Sequence, residues 1–136
     1  MTDIQATISA AASGMRAQTV RMRVAAENVA NANSTGNNPN EEPFRRRIPL
    51  METSTLASGA QGVQVTGTSF DMSEFREEYN PSHPAADADG YVRLPNVDTL
   101  VEMMDLREAT RAYEANLNMI EAARTMTSRA LDLLRR

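Results

Sequence analysis

The 136-residue sequence contains no cysteine, no lysine and no tryptophan, and only three phenylalanines and three tyrosines. Without cysteine there is no disulfide framework, no thiolate zinc site and no cysteine nucleophile. The shortage of aromatics removes the side chains that carry most burial energy. Much of the 41% apolar content is alanine and methionine, so a thin core that leans on partners is expected. Basic residues are also in deficit, 14 against 18 acidic ones for a net charge of −4. Recognition of nucleic acid needs clustered cations in excess, so no nucleic-acid partner is expected. No run approaches the roughly 20 apolar residues that a membrane-spanning helix requires. The opening stretch from Met1 to Met15 has no positive segment followed by an apolar one, so export without a cleaved signal peptide is the expectation for any role outside the cytoplasm.

What the sequence does have is helical periodicity at both ends. Over residues 3–32, Met1, Ile8, Met15, Met22 and Val29 recur at seven-residue intervals, with Ile4, Ala11, Gln18, Ala25 and Ala32 three positions later. This is the a/d pattern of a coiled coil. Thr2 with Gln5 has capping-box spacing. Gly14 inside this helix costs up to about 1 kcal/mol relative to alanine, so packing must justify it.

From Asn31 to Pro43 the composition turns to asparagine, glycine and proline, which ends the helix in a loop. Residues 44–80 carry short alternating pieces around Phe44, Ile48 and Leu50, Val63 and Val65, Phe70 and Met72, and Phe75 to Tyr79. Glycines at 59, 62 and 67 punctuate them, and a few short strands are predicted. After a second irregular stretch, Pro95 precedes Asn96 as the expected cap, with Asp98 suited to the positive end of the helix dipole. No proline or glycine follows, and a helix over residues 97–134 would be roughly 57 Å long.

Within that helix Leu106, Tyr113, Ile120, Thr127 and Leu134 repeat every seven residues, with Ala109, Asn116, Ala123 and Ala130 three positions on. Ala112, Met119, Met126 and Leu133 extend the apolar stripe on one side, and Met103, Leu117 and Leu131 on the other. A stripe wider than a two-stranded seam predicts packing against more than one helix. The expected fold is therefore mainly α, with long N- and C-terminal helices paired as a coiled coil and a small irregular β region between them. Residues 1–36 and 96–136 would form the helical domain and residues 37–95 a loop-rich middle.

Candidate chemistry is sparse. His83 is the single histidine, and without a base and an orienting partner it is read as structural. Asp87-Ala88-Asp89-Gly90 fails as a calcium loop, because Ala85 and Asn96 stand where the motif needs Asp and Glu; a turn with Gly90 at positive φ is preferred. Arg45-Arg46-Arg47, beside Glu41 and Glu42, is read as a solvated or subunit-contacting strand face. Met103, Met119 and Met126 are read as core. No enzyme activity, cofactor, metal or small-molecule substrate is expected.

Several segments resemble a known family. The run from Pro81 to Val97, PSHPAADADGYVRLPNV, is similar to the segment typical of the FlgC family of flagellar basal-body rod proteins, which are proximal rod subunits. Arg111 to Asn116 resembles that family's C-terminal helix. Ala11 to Met15 and Glu27 to Gly36 resemble the N-terminal signature shared by flagellar rod and hook proteins. The resemblance implies a bacterial axial protein exported through the flagellar type III apparatus and polymerised in the periplasm as part of the rod. Terminal helices would line the tube and a small middle region would lie outside. Implied partners are other copies of itself, other rod proteins, and the basal-body protein joining rod to membrane ring. A small helical adaptor or export chaperone is the alternative reading.

The residues expected to form the assembly interface are Ile8, Met15, Met22, Asn28, Val29, Asn31 and Asn33 along and just after the first helix and Leu106, Tyr113, Asn116, Leu117, Ile120 and Ala123 on the second. Asn28, Asn31 and Asn33 lie where the first helix ends, placed to satisfy its free carbonyls, to bond a neighbour, or simply to turn the chain. Tyr113 and Asn116 occupy a and d, where a phenol and an amide among apolar groups fix register.

Overall fold

The computed structural model describes residues 2–136; Met1, the first member of the expected N-terminal seam, lies outside the described residues. The element order is α1 (Thr2–Ala30), β1 (Arg47–Thr55), β2 (Gln61–Phe70), β3 (Arg76–Tyr79), β4 (Tyr91–Leu94) and α2 (Thr99–Leu134). β1 pairs antiparallel with β2, and β3 antiparallel with β4, as two separate two-stranded sheets. None of the described helices is long and apolar enough to cross a membrane.

The mainly α expectation is overturned. The chain is 48% helix and 20% strand, an α+β arrangement. The middle is not a set of short irregular pieces but a ribbon of nine and ten residues per strand, plus a second small sheet whose β4 falls in a stretch read as loop. The glycines misled: Gly59 makes the hairpin turn, whereas Gly62 and Gly67 sit within β2 instead of breaking it. A bulge between Leu50 and Met51 lets the ribbon continue past Gly67.

The coiled-coil description of the helix pair is likewise not sustained. The helices do run antiparallel, as the pairs Asn28 with Glu102, Met22 with Thr110, and Gly14 with Asn116 show. However, α1 is buried on two sides, where a two-stranded seam buries one. One side meets α2. The other meets the β1–β2 ribbon, where Ser13 Oγ accepts from Val63 N–H at 3.1 Å and buried Ala17 faces Val63 and Val65.

The thin core follows from composition. Among the described residues the fully buried apolar side chains are alanines, valines and prolines. Small side chains let the two helices approach closely, and this explains Gly14: a Cβ there would lie 2.7 Å from Asn116 Nδ2. Both helix starts differ from expectation. Thr2 is already helical, and α2 is capped by Asp98, whose carboxylate accepts from Leu100 N–H at 3.0 Å. Asn96 instead accepts from the backbone N–H of Arg46. Gly90 does adopt the expected positive φ, at 87°.

Candidate assembly interface and its anchor

Some of the residues that periodicity singled out are withdrawn from solvent, whereas Leu117, Ala130 and Leu134 are exposed. Ile8, Met15, Met22 and Val29 on α1, and Leu106, Tyr113, Asn116 and Ile120 on α2, are half-buried, and Ala123 is buried. Thr110 Oγ1 donates to Leu106 O at 2.8 Å and lies 3.5 Å from Met22 Sδ. Arg21 of α1 reaches Glu108 of α2 at 3.9 Å, a pair too exposed to stabilise much.

Either side of the seam between the helices, α2 presents apolar side chains that are exposed among the described residues. Met119, Met126 (62% exposed) and Leu133 (73%) line one flank, and Met103, exposed Leu117 and Leu131 the other. The ribbon leaves them bare because it packs on α1 and not on α2. An apolar stripe of this length, two sides of one helix, is the kind of surface that marks a packing partner.

A polar cluster anchors the middle of the chain to the helix pair. Glu102, only 2% exposed in the first turn of α2, is the largest fully buried side chain among the described residues. Arg46 Nε donates to its Oε1, and Asn28 Nδ2 lies 3.3 Å from its Oε2. The same guanidinium reaches Asp71 at 3.5 Å and Asp105 at 3.6 Å. Burial works against the Arg46 charge, but Glu102, then Asp71 and Asp105, outweigh it and hold its pKa above the usual arginine value. Asp71 is held below the ordinary carboxylate range first by the backbone N–H and hydroxyl of Ser73 and then by Arg46.

Two asparagine amides complete the anchor. Asn28 Oδ1 accepts from Arg47 N–H at 3.0 Å and its Nδ2 donates to Arg47 O at 2.9 Å, so one side chain pairs with the first residue of β1 as a strand neighbour would. Asn96 Oδ1 accepts from Arg46 N–H at 2.8 Å, and its Nδ2 donates to Asp71 O at 2.9 Å and Ser73 Oγ at 2.9 Å. Asn31 Nδ2 closes the end of α1 by donating to Glu27 O at 2.8 Å, and Asn33 is exposed.

Sequence reasoning missed Glu102 and misread Arg46, which points inward to the helix pair and not to solvent. A signal was available: Glu102 stands seven residues before Ala109, at a core position of the register, and a carboxylate there requires a cation.

The comparisons follow the same lines. A family model described as the flagellar basal body rod FlgEFG protein C-terminal region matches residues 88–133, which take in β4 and nearly all of α2. A flagellar basal-body rod protein FlgC of Agrobacterium fabrum is 40% identical over 136 residues, 99% of this chain and 98% of that protein. The chain belongs to the FlgC family of flagellar basal-body rod proteins. The FlgC proteins of Bacillus subtilis and Salmonella typhimurium are each 36% identical, covering 93% and 90% of this chain and 95% and 92% of their own lengths. Membership in the FlgC family makes the protein a structural rod subunit of the flagellar basal body, and the adaptor or export-chaperone reading is not favoured.

Proposed function

We propose that the chain polymerises through its terminal helices into the proximal part of the rod, with the two apolar flanks of α2 as the surfaces that neighbouring subunits cover. The single observation that carries this is the exposure of Met119, Met126 and Leu133 on one side of the seam and Met103, Leu117 and Leu131 on the other. The seam residues themselves join α1 to α2 within one chain, so the neighbours must use the flanks. Residues 1–36 with 96–136 act as the helical unit that assembles, and residues 37–95 as an outer unit fixed to it through Arg46 and Asn96. The partners are other copies of this chain, other rod proteins and the protein joining rod to ring. Export without signal cleavage and assembly in the periplasm fit this role. The chain works as a drive-shaft component and not as an enzyme.

The test is Met126→Glu together with Met119→Glu. Both sites are exposed, so the helical circular dichroism of the purified chain should be retained while rod assembly and swimming through soft agar are lost. Normal motility in that double variant would overturn the assignment of this flank.

A further inference from the structure

His83 stands in the loop joining β3 to β4, and both of its ring nitrogens are engaged. Nδ1 accepts from the N–H of Ala85, two residues on, at 3.0 Å. Nε2 lies 3.3 Å from Oγ1 of Thr35, which belongs to the segment leaving α1 and is separated from His83 by 48 positions. A ring nitrogen that accepts from a backbone N–H cannot carry a proton itself. The bonding partners therefore assign the neutral ring its proton on Nε2, from which it donates to the Thr35 hydroxyl.

The loop is braced independently of the ring. His83 N–H donates to Asn80 O at 3.1 Å, Ala86 N–H to His83 O at 3.0 Å, and Asp87 Oδ1 accepts from the N–H groups of Asp89 and Tyr91 at 3.0 and 2.9 Å. The ring faces a hollow lined by Asn33, Thr35, Glu78, Asn80, Val92 and Leu94. Among these, Glu78 of β3 is the charged side chain. Arg76 shares its sheet face and donates to Ala32 O at 3.0 Å and Pro95 O at 3.1 Å. Arg93, on the opposite face of β4, donates to the carbonyls of Pro39 and Glu41. Residues 31–36 bring no charge of their own.

We propose that His83 is a protonation-released latch, which when neutral ties the segment leaving α1 to the β3–β4 loop through Thr35 and when protonated lets that segment go. A second ring proton has to go on Nδ1, where it would meet the Ala85 N–H donor to donor. Either the turn opens or the ring rotates, and rotation carries Nε2 away from Thr35, with the Glu78 carboxylate available to the displaced imidazolium across the hollow. By the rotated route one proton breaks both bonds. The sign follows: the latch is closed while the ring is neutral and opens when acid protonates it. The latch depends on one chain's geometry and not on assembly, so its failure and that of the rod reading are separable.

His83 is the only histidine, so its imidazole can be read directly in the full-length chain by long-range nitrogen–proton correlation between about pH 8 and about pH 5. The expected result is a proton on Nε2 and a bare Nδ1 at the upper end. At the lower end both nitrogens are protonated, and amide protection at Ala85 and Ser34 falls about tenfold after correction for intrinsic exchange, the loss of roughly one hydrogen bond. His83→Asn keeps a side-chain carbonyl that can accept from Ala85 N–H as an Asx turn does, so protection at Ala85 should become indifferent to pH. Thr35→Val should leave Nδ1 bare and abolish the pH response at Ser34 alone. A proton resident on Nδ1 at the upper end, or an unchanged pH response at Ala85 in His83→Asn or at Ser34 in Thr35→Val, would overturn the proposal.

Discussion

Arg46, one residue before β1, and Glu102, in the first turn of α2, form a buried ion pair across 56 positions of sequence, and through it the middle of the chain is held to the helices. A charge pair at this depth costs solvation that only good geometry returns. Here the geometry is supplied by Asn28 on the second carboxylate oxygen and by Asn96 on the Arg46 backbone.

Arg46→Ala leaves Glu102 buried without its cation and should cost about 3–5 kcal/mol in urea unfolding. Glu102→Ala should cost less, because Asp71 and Asp105 still face the guanidinium. The double replacement Arg46→Met with Glu102→Leu should recover most of the loss. If the double variant is as unstable as the sum of the singles, the pair is not a coupled anchor.

Gly14 and Asn116 are predicted to be coupled. Alanine at 14 gains up to about 1 kcal/mol of helix propensity but drives its Cβ toward the Asn116 amide. Gly14→Ala alone should therefore be near neutral in thermal unfolding, and the gain should emerge when Asn116→Ala accompanies it. Leucine at 14 should be destabilising in either background. Additive effects in the cycle would show that the two residues do not compete for the same space.

Ala123 is 5% exposed, against α1. Phenylalanine there should overpack the chain's own helix pair and lower its stability by about 1–3 kcal/mol before any assembly step is reached. Equilibrium unfolding of the monomer is the relevant measurement, since loss of motility alone would not separate this from a flank defect. An Ala123→Phe monomer as stable as wild type would remove Ala123 from the intramolecular seam.

Asp71 has its pKa depressed below the ordinary aspartate value of 3.8 by Ser73 and then by Arg46. A carboxylate with a lowered folded-state pKa stabilises the fold above its unfolded value, and that contribution is lost as pH falls through the lower, folded one. Unfolding free energy should therefore drop as pH is taken below 3.8, and Asp71→Asn should show a shallower drop from a lower starting stability. An identical acid limb in the variant would assign the acid sensitivity to other carboxylates.

The two long helices were legible in the sequence because their apolar spacing repeats over many turns, and within α2 the seam from Leu106 to Ala123 falls where the register places it. The excess width of the stripe was legible too, but Met103, Met119 and Met126, read as core, are exposed in the folded chain, because the ribbon packs on α1 and not on α2. The strands were less so. Glycine at 62 and 67 and the exposure of most ribbon side chains weaken the alternation by which a strand is read, and pairing partners as far apart as Arg47 and Phe70 leave no local mark.

By itself the sequence determined where apolar surface would run along each terminal helix, that small residues would allow close approach, and which family the chain resembles. These follow from local spacing and composition, which are properties of the chain in one dimension. Tertiary structure alone decided that α1 divides its surface between α2 and the ribbon. It also turned Arg46 inward onto Glu102, and set His83 against Thr35. Each of those pairings joins residues dozens of positions apart, and only the folded backbone brings their charges and hydrogen-bonding groups within reach.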